Sequence, residues 1–192
     1  MRDYTNIERY INELTGDVYP QPPDEGHTRM ARWLIDNWFV NLPTCKTVLD
    51  VGCGSGFMQP MFAELGIVWT GVTLSADYLV CKNQGLDVHN EDMSFLPFAD
   101  KSYDVVLGRH VLEHSPMPIL TLMEWNRVAK QWVCVVLPNP DHYGYVGRNH
   151  YSVMSHTQLV WLAARAGMKP IWELLAENEI RVLLEKSEKR IE

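Results

Sequence analysis

Asp50 is followed by three glycines at alternating positions, Gly52, Gly54 and Gly56, within the stretch VLDVGCGSGF. Glycine lets a backbone turn sharply and approach a ligand closely, because no Cβ stands in the way. Titratable residues gather in two further stretches: His110, Glu113 and His114, then Asp141, His142 and Tyr143. Histidine titrates near neutral pH and can take a proton from an acceptor that must lose one. His110 and His142 are the candidates for that direct chemical role, whereas His150 and His156 read as loop and helix-end residues. The histidines show no recognised metal-ligand spacing, so no metal site is expected. Cys45, Cys53, Cys81 and Cys134 contain no CxxC pair; three of them sit in or beside apolar segments and read as small buried thiols, and no disulfide framework or zinc site is expected.

The elements that must position these residues alternate along the chain. Val48, Leu49 and Val51 suit a buried strand over 46–51, followed by a helix over 57–65 that ends at Gly66. A second strand, Ile67 to Thr73, precedes a helix with Ser75 as its N-cap and Gly85 at its end. LDVHNED supplies a short third strand and YDVVLGR a fourth. A helix over 117–129 follows, with Pro116 suited to its first turn, and WVCVVLP is the fifth strand. Ser155 and Gln158 have capping-box spacing and open a helix that ends at Gly167. Two last strand-like runs, 168–176 and 179–186, are joined so tightly that they must form an antiparallel hairpin. Repeated strand-helix alternation implies a mostly parallel sheet with helices on both faces. Residues 1–45 stand apart as an N-terminal helical cap, with helices over 5–14 and 27–40 flanking VYPQPPDEG. Met30, Trp33, Leu34 and Trp38 share one face of the second. Residues 46–192 form the main domain.

The chain has 192 residues, a hydrophobic fraction of 46%, a charged fraction of 21% and a formal net charge of −7. These values describe an ordinary globular protein able to bury a core. The acidic balance and the lack of a dense Lys/Arg run disfavour a polynucleotide substrate, whose binding rests on neutralising phosphates. The polar N-terminus does not read as a signal peptide, and no apolar run approaches the roughly 20 residues of a membrane span. The cytoplasm is the expected location.

VLDVGCGSGF, then GVTLS, then EDMSFLPFADKSYDVVLGRHVLEH closely resembles the class I S-adenosylmethionine-dependent methyltransferases, over roughly residues 46–186. The resemblance implies an α/β, Rossmann-like, seven-stranded and mostly parallel sheet closed by an antiparallel C-terminal hairpin. It implies S-adenosylmethionine as cofactor, with Gly52, Cys53 and Gly54 against its methionine and ribose. Asp50 would hold the ammonium group directly or through water. Asp92 would accept a hydrogen bond from the adenine amino group, with Met93 packed on the ring, and the Arg109 backbone would meet the methionine end. The family usually carries a ribose-binding acid after the second strand; here Thr73 and Leu74 stand at that point. Asp77, one helical turn on, either supplies the second ribose contact or is a solvated helix acid.

PNPDHY follows the fifth strand, whereas the similar NPPY motif of amino-methylating nucleic-acid enzymes follows the fourth. This also argues against a DNA or RNA base as acceptor. Tyr19, Tyr143, Tyr145 and Tyr151 can bind an aromatic or sugar-like acceptor or simply pack. The segments Tyr19–His27 and Asn139–Tyr151 are expected to close over the crevice beyond the strand ends and form its acceptor side. The expected function is methyl transfer to a small-molecule acceptor by in-line displacement. The alternative is a non-catalytic, cofactor-binding regulatory or partner subunit; oligomeric state is not legible in the sequence.

Overall fold

In chain order the elements are α1 (Thr5–Thr15), α2 (Glu25–Asn37), β1 (Thr47–Val51), α3 (Gln59–Glu64), β2 (Val68–Thr73), α4 (Ser75–Asn83) and β3 (Val88–Asn90). They continue as β4 (Tyr103–Arg109), α5 (Pro118–Val128), β5 (Ala129–Pro138), the single-turn α6 (Pro140–Tyr143), α7 (His156–Arg165), β6 (Met168–Leu175) and β7 (Glu179–Lys186). The computed structural model describes residues 5–15, 24–144, 147 and 149–187.

The seven strands form one sheet in the order β3-β2-β1-β4-β5-β7-β6. Neighbours from β3 to β5 pair in parallel, and β7 pairs antiparallel with both β5 and β6. Alternation along each strand builds two cores. Leu49, Val106, Val133, Val135 and Val182 face one side, where α5 and α7 contribute Leu122, Trp125, Leu159 and Ala163. Val48, Val105, Leu107, Cys134 and Leu183 face the other, against Leu34 and Ile35 of α2 and Phe62 of α3. Burial on both faces is why the central strands read as nearly continuous apolar runs. The strand order reverses between β1 and β4, so a crevice opens at their carboxyl ends.

Several boundaries differ from the sequence reading. Ser75 is not an N-cap: α4 starts at Ser75 itself, after an extended Leu74 that offers no side-chain cap. Pro118, not Pro116, occupies the first turn of α5. Just before that helix the Met117 N–H donates to Ser115 Oγ at 3.1 Å. The capping box at Ser155 and Gln158 is present as expected. Part of the N-terminal segment packs on the sheet. Ala31, Leu34 and Ile35 of α2, with Trp38, Phe39, Leu42 and Cys45 after it, are buried in the same core as Val48 and Phe62. The reason is the apolar stripe itself, which is long enough to cover one face of the sheet.

Candidate cofactor site

The glycine turn leaves the carboxyl end of β1 and is pinned to β2. The Gly52 and Cys53 N–H groups both donate to the Val72 carbonyl, at 2.8 and 3.1 Å. Gly52 has φ +70° and Gly54 φ +56°, in the left-handed region that favours glycine. Their surroundings differ. A Cβ on Gly52 would strike Val111 Cγ2 at 2.4 Å, so its absence serves packing. A Cβ on Gly54 would meet only the Asp77 carboxylate, at 3.9 Å, and would otherwise project into the cleft.

That cleft is lined by Gly52, Cys53 and Gly54 on one side and by Thr73, Leu74 and Asp77 on another. Glu91 and Met93 close a third side, and Arg109 and His110 a fourth. Burial raises the Asp77 carboxyl above its ordinary value. Two expected residues are not part of the lining. Asp50 is only 3% exposed and accepts a hydrogen bond from Trp69 Nε1 at 3.0 Å. Burial pushes its carboxyl up to about 7, against the opposing pull of that bond and of the Arg109 charge. Asp92 turns its Oδ1 to the Ser94 N–H at 2.8 Å, while its neighbours Glu91 and Met93 reach the cleft.

Behind Arg109 and His110 lies a buried charged cluster. Glu179, at the start of β7, is fully buried and accepts from Arg109 Nη2 at 2.8 Å, His110 Nε2 at 2.7 Å and Arg181 Nε at 2.8 Å. Burial alone would raise the Glu179 carboxyl; the His110 hydrogen bond and the Arg109 charge outweigh it and hold it at about 2. Burial lowers His110, overcoming the upward pull of Glu179. An ionised carboxylate only accepts, so the His110 Nε2 carries the hydrogen and its Nδ1 offers a lone pair. His110 has φ +52°, a strained setting for a non-glycine residue and one that recurs at functional sites. Arg181 also stacks over Trp33, its guanidinium carbon 4.4 Å from the ring centre.

His110 therefore lies at the site, but His142 does not line the cleft. It sits on α6, exposed, with its Nδ1 3.6 Å from Glu177. Of the two segments expected to close the crevice, residues 19–23, 145, 146 and 148 lie outside the described residues. Within the remainder, His27 and Asn149 line the cleft, and His27 meets the His110 ring edge-on at 5.7 Å. Sequence reasoning missed Glu91, Glu179 and Arg181. Glu91 sat one position from the motif acid; Glu179 and Arg181 are brought in by hairpin topology, which leaves no local pattern. The fold also gathers Glu113, His114 and His150, whose spacing in the chain announces nothing. All four cysteines are buried free thiols.

Residues 49–135 match a methyltransferase domain family. An uncharacterized methyltransferase of Mycobacterium tuberculosis is 34% identical over 120 residues, covering 59% of this chain and 46% of that protein. One from Mycobacterium leprae is 36% identical over 101 residues, covering 50% of this chain and 37% of its own length. The chain thus spans less than half the length of these relatives. Among solved structures, a putative sarcosine dimethylglycine methyltransferase from Galdieria sulphuraria superposes with a TM-score of 0.70 at 15% identity, over 97% of this chain and 100% of that one. A putative methyltransferase of Haloferax volcanii, solved in complex with the Trm112 methyltransferase activator, gives a TM-score of 0.69 at 15% identity over 95% and 96%. The open space at Gly54 and the carboxylates of Asp77 and Glu91 fit a ligand with an amino-acid end and ribose hydroxyls. Motif order and sheet topology, with the methyltransferase-domain match over residues 49–135, make the chain similar to the class I S-adenosylmethionine-dependent methyltransferases.

Proposed function

We propose that this chain transfers a methyl group to a small-molecule acceptor by in-line displacement. The observation that carries the reading is one continuous cleft, with the glycine turn on one side and His27, His110 and His114 on the other. S-adenosylmethionine, when bound, supplies an already activated sulfonium methyl group. The protein's part is then to hold the acceptor in line, exclude water and remove a proton where the acceptor has one to lose. The Gly52–Gly54 turn, with Thr73, Leu74 and Asp77, would hold the methionine and ribose. Met93, with Asp92 or Glu91, would hold the adenine. His110 is the candidate base: Glu179 fixes its Nε2–H, which leaves Nδ1 to take the acceptor's proton.

The net charge of −7 supports a small acceptor over a nucleic acid. Among the described residues, no helix is long and apolar enough to cross a membrane. The cytoplasm is the setting this reading takes. The test is incubation with S-adenosylmethionine and a metabolite extract, followed by mass spectrometry for methylated products and S-adenosylhomocysteine. Turnover supports the enzyme. Tight S-adenosylhomocysteine binding with no product from any extract would favour a non-catalytic cofactor-binding subunit instead.

A further inference from the structure

Glu113 and His114 follow β4 on a short 3-10 turn, Leu112–His114, while His150 arrives from the loop that follows β5 and α6. One ligand atom from each of the three lies within 4.8 Å of the others. Glu113 is only 2% exposed, and its Oε2 is buried with no hydrogen-bond partner among the described residues. Its Oε1 lies 4.0 Å from His110 Nδ1, beyond hydrogen-bond reach. Arg109, the nearby guanidinium, gives its Nη2 to Glu179. An orphaned buried carboxylate oxygen is costly unless a proton or a cation compensates it.

The two histidines are arranged as ligands are. His114 Nδ1 lies 2.9 Å from the Asn149 carbonyl, and a carbonyl can only accept, so Nδ1 carries the hydrogen. Its Nε2 then presents the lone pair. A backbone carbonyl that orients an imidazole in this way is the usual second support of a metal-ligating histidine. The His150 ring stands edge-on to the His114 ring, with centres 4.9 Å apart at 80°. Both side chains are half-buried, within reach of solvent exchange.

We propose that Glu113, His114 and His150 form a divalent-metal site on the acceptor wall of the cleft. Two imidazoles and one carboxylate suit a first-row transition ion such as Zn2+, Co2+ or Mn2+ better than the all-oxygen preference of Mg2+ or Ca2+. Metal-ligand bonds of about 2.0–2.2 Å place tetrahedral donors about 3.3–3.6 Å apart, so ordinary rotamer adjustment must close the present separations. Three protein donors leave a position for water or for an acceptor atom. His114 lines the cleft itself, which puts that position on the acceptor side. Resting on the methyl-transfer reading, the site makes the acceptor an oxygen nucleophile, a hydroxyl or enol whose oxygen the ion holds.

The test titrates Co2+ alone into the chelator-treated full chain and follows its visible absorption. Wild type should bind one equivalent and show ligand-field bands of an imidazole-containing site. Glu113→Gln and His150→Ala should each weaken binding by about tenfold or more, as loss of a ligand or its support does. His150 is half-buried, so its variant keeps the test valid if Glu113→Gln fails to fold, which circular dichroism reports. His156→Ala, paired with Glu173 away from the cleft, should leave the titration unchanged. Absence of a one-equivalent transition, or identical titrations for wild type and His150→Ala, overturns the site. Methyl transfer with a flat Co2+ titration removes the metal and keeps the function. A Co2+ site lost in His150→Ala, with no methyl transfer to any acceptor, does the reverse.

Discussion

Asp50→Asn should make the protein more stable at alkaline pH while leaving its stability at acid pH little changed. Asp50 is buried behind the glycine turn, with the Trp69 indole as its hydrogen-bond donor. Burial takes its carboxyl from the ordinary 3.8 to about 7. A group raised on folding contributes stability that is fully present below its unfolded pKa and lost as pH rises through the folded one. Here the loss runs from about pH 4 to about pH 7. The interval corresponds to a ceiling of about 4 kcal/mol, at about 1.4 kcal/mol for each pH unit. Asparagine keeps an oxygen for Trp69 and removes the charge, but its buried N–H costs about 1–3 kcal/mol if unpartnered. Urea unfolding at pH 4.5, 6 and 8 should therefore show the variant gaining on wild type by about 2–4 kcal/mol across that range. Glu113, also raised by burial, is common to both proteins and cancels in the difference. Parallel stability curves for the two proteins would refute a buried, proton-retaining Asp50.

Gly54→Val should abolish S-adenosylhomocysteine binding in isothermal titration, because its side chain projects into the cleft; the positive φ adds a folding cost of about 1–2 kcal/mol. Binding with unchanged affinity would move the cofactor elsewhere. Asp92→Ala should weaken cofactor binding by about 1–3 kcal/mol if that acid meets the adenine amino group. An unchanged affinity, with the loss appearing instead in Glu91→Ala, would assign the contact to the residue that lines the cleft. Glu179→Gln should destabilise the fold by about 3–5 kcal/mol, since it leaves Arg109, His110 and Arg181 around a neutral side chain. A loss below about 1 kcal/mol in thermal or urea unfolding would mean that water already screens the cluster.

What could be read from the sequence divides by distance along the chain. The glycine turn, the strand alternation and the closing hairpin are local patterns, with periods and punctuation fixed by backbone sterics and burial. The Ser155–Gln158 capping box is local for the same reason, and it is present. Ser75 misled because a serine before an apolar run is a cap only if its backbone is extended, and here Leu74 takes that position. The stripe of α2 announced a covered helix face, and only the folded chain shows that Val48 and Phe62 share its core. Asp50 kept its predicted address but lies behind the cleft, since burial depth is set by Trp69 and the neighbouring strands. Glu179 and Arg181 were out of reach because only the pairing of β7 with β5 carries them to His110.

That pairing also sets the order in which the molecule can become competent. β7 runs against its neighbours, so its first residue, Glu179, pairs with Pro138 at the end of the sheet where the crevice opens. The Arg109–Glu179 contact closes a separation of 70 residues. Contacts of such range form late, after loop-closure entropy has been overcome by nearer ones. A chain still emerging from the ribosome would own the glycine turn long before it owned the Glu179 carboxylate that neutralises Arg109 and Arg181, and only insertion of β7 would complete that cluster. In refolding from urea, protection of the β7 amides from hydrogen exchange should accordingly lag behind the return of helical circular dichroism.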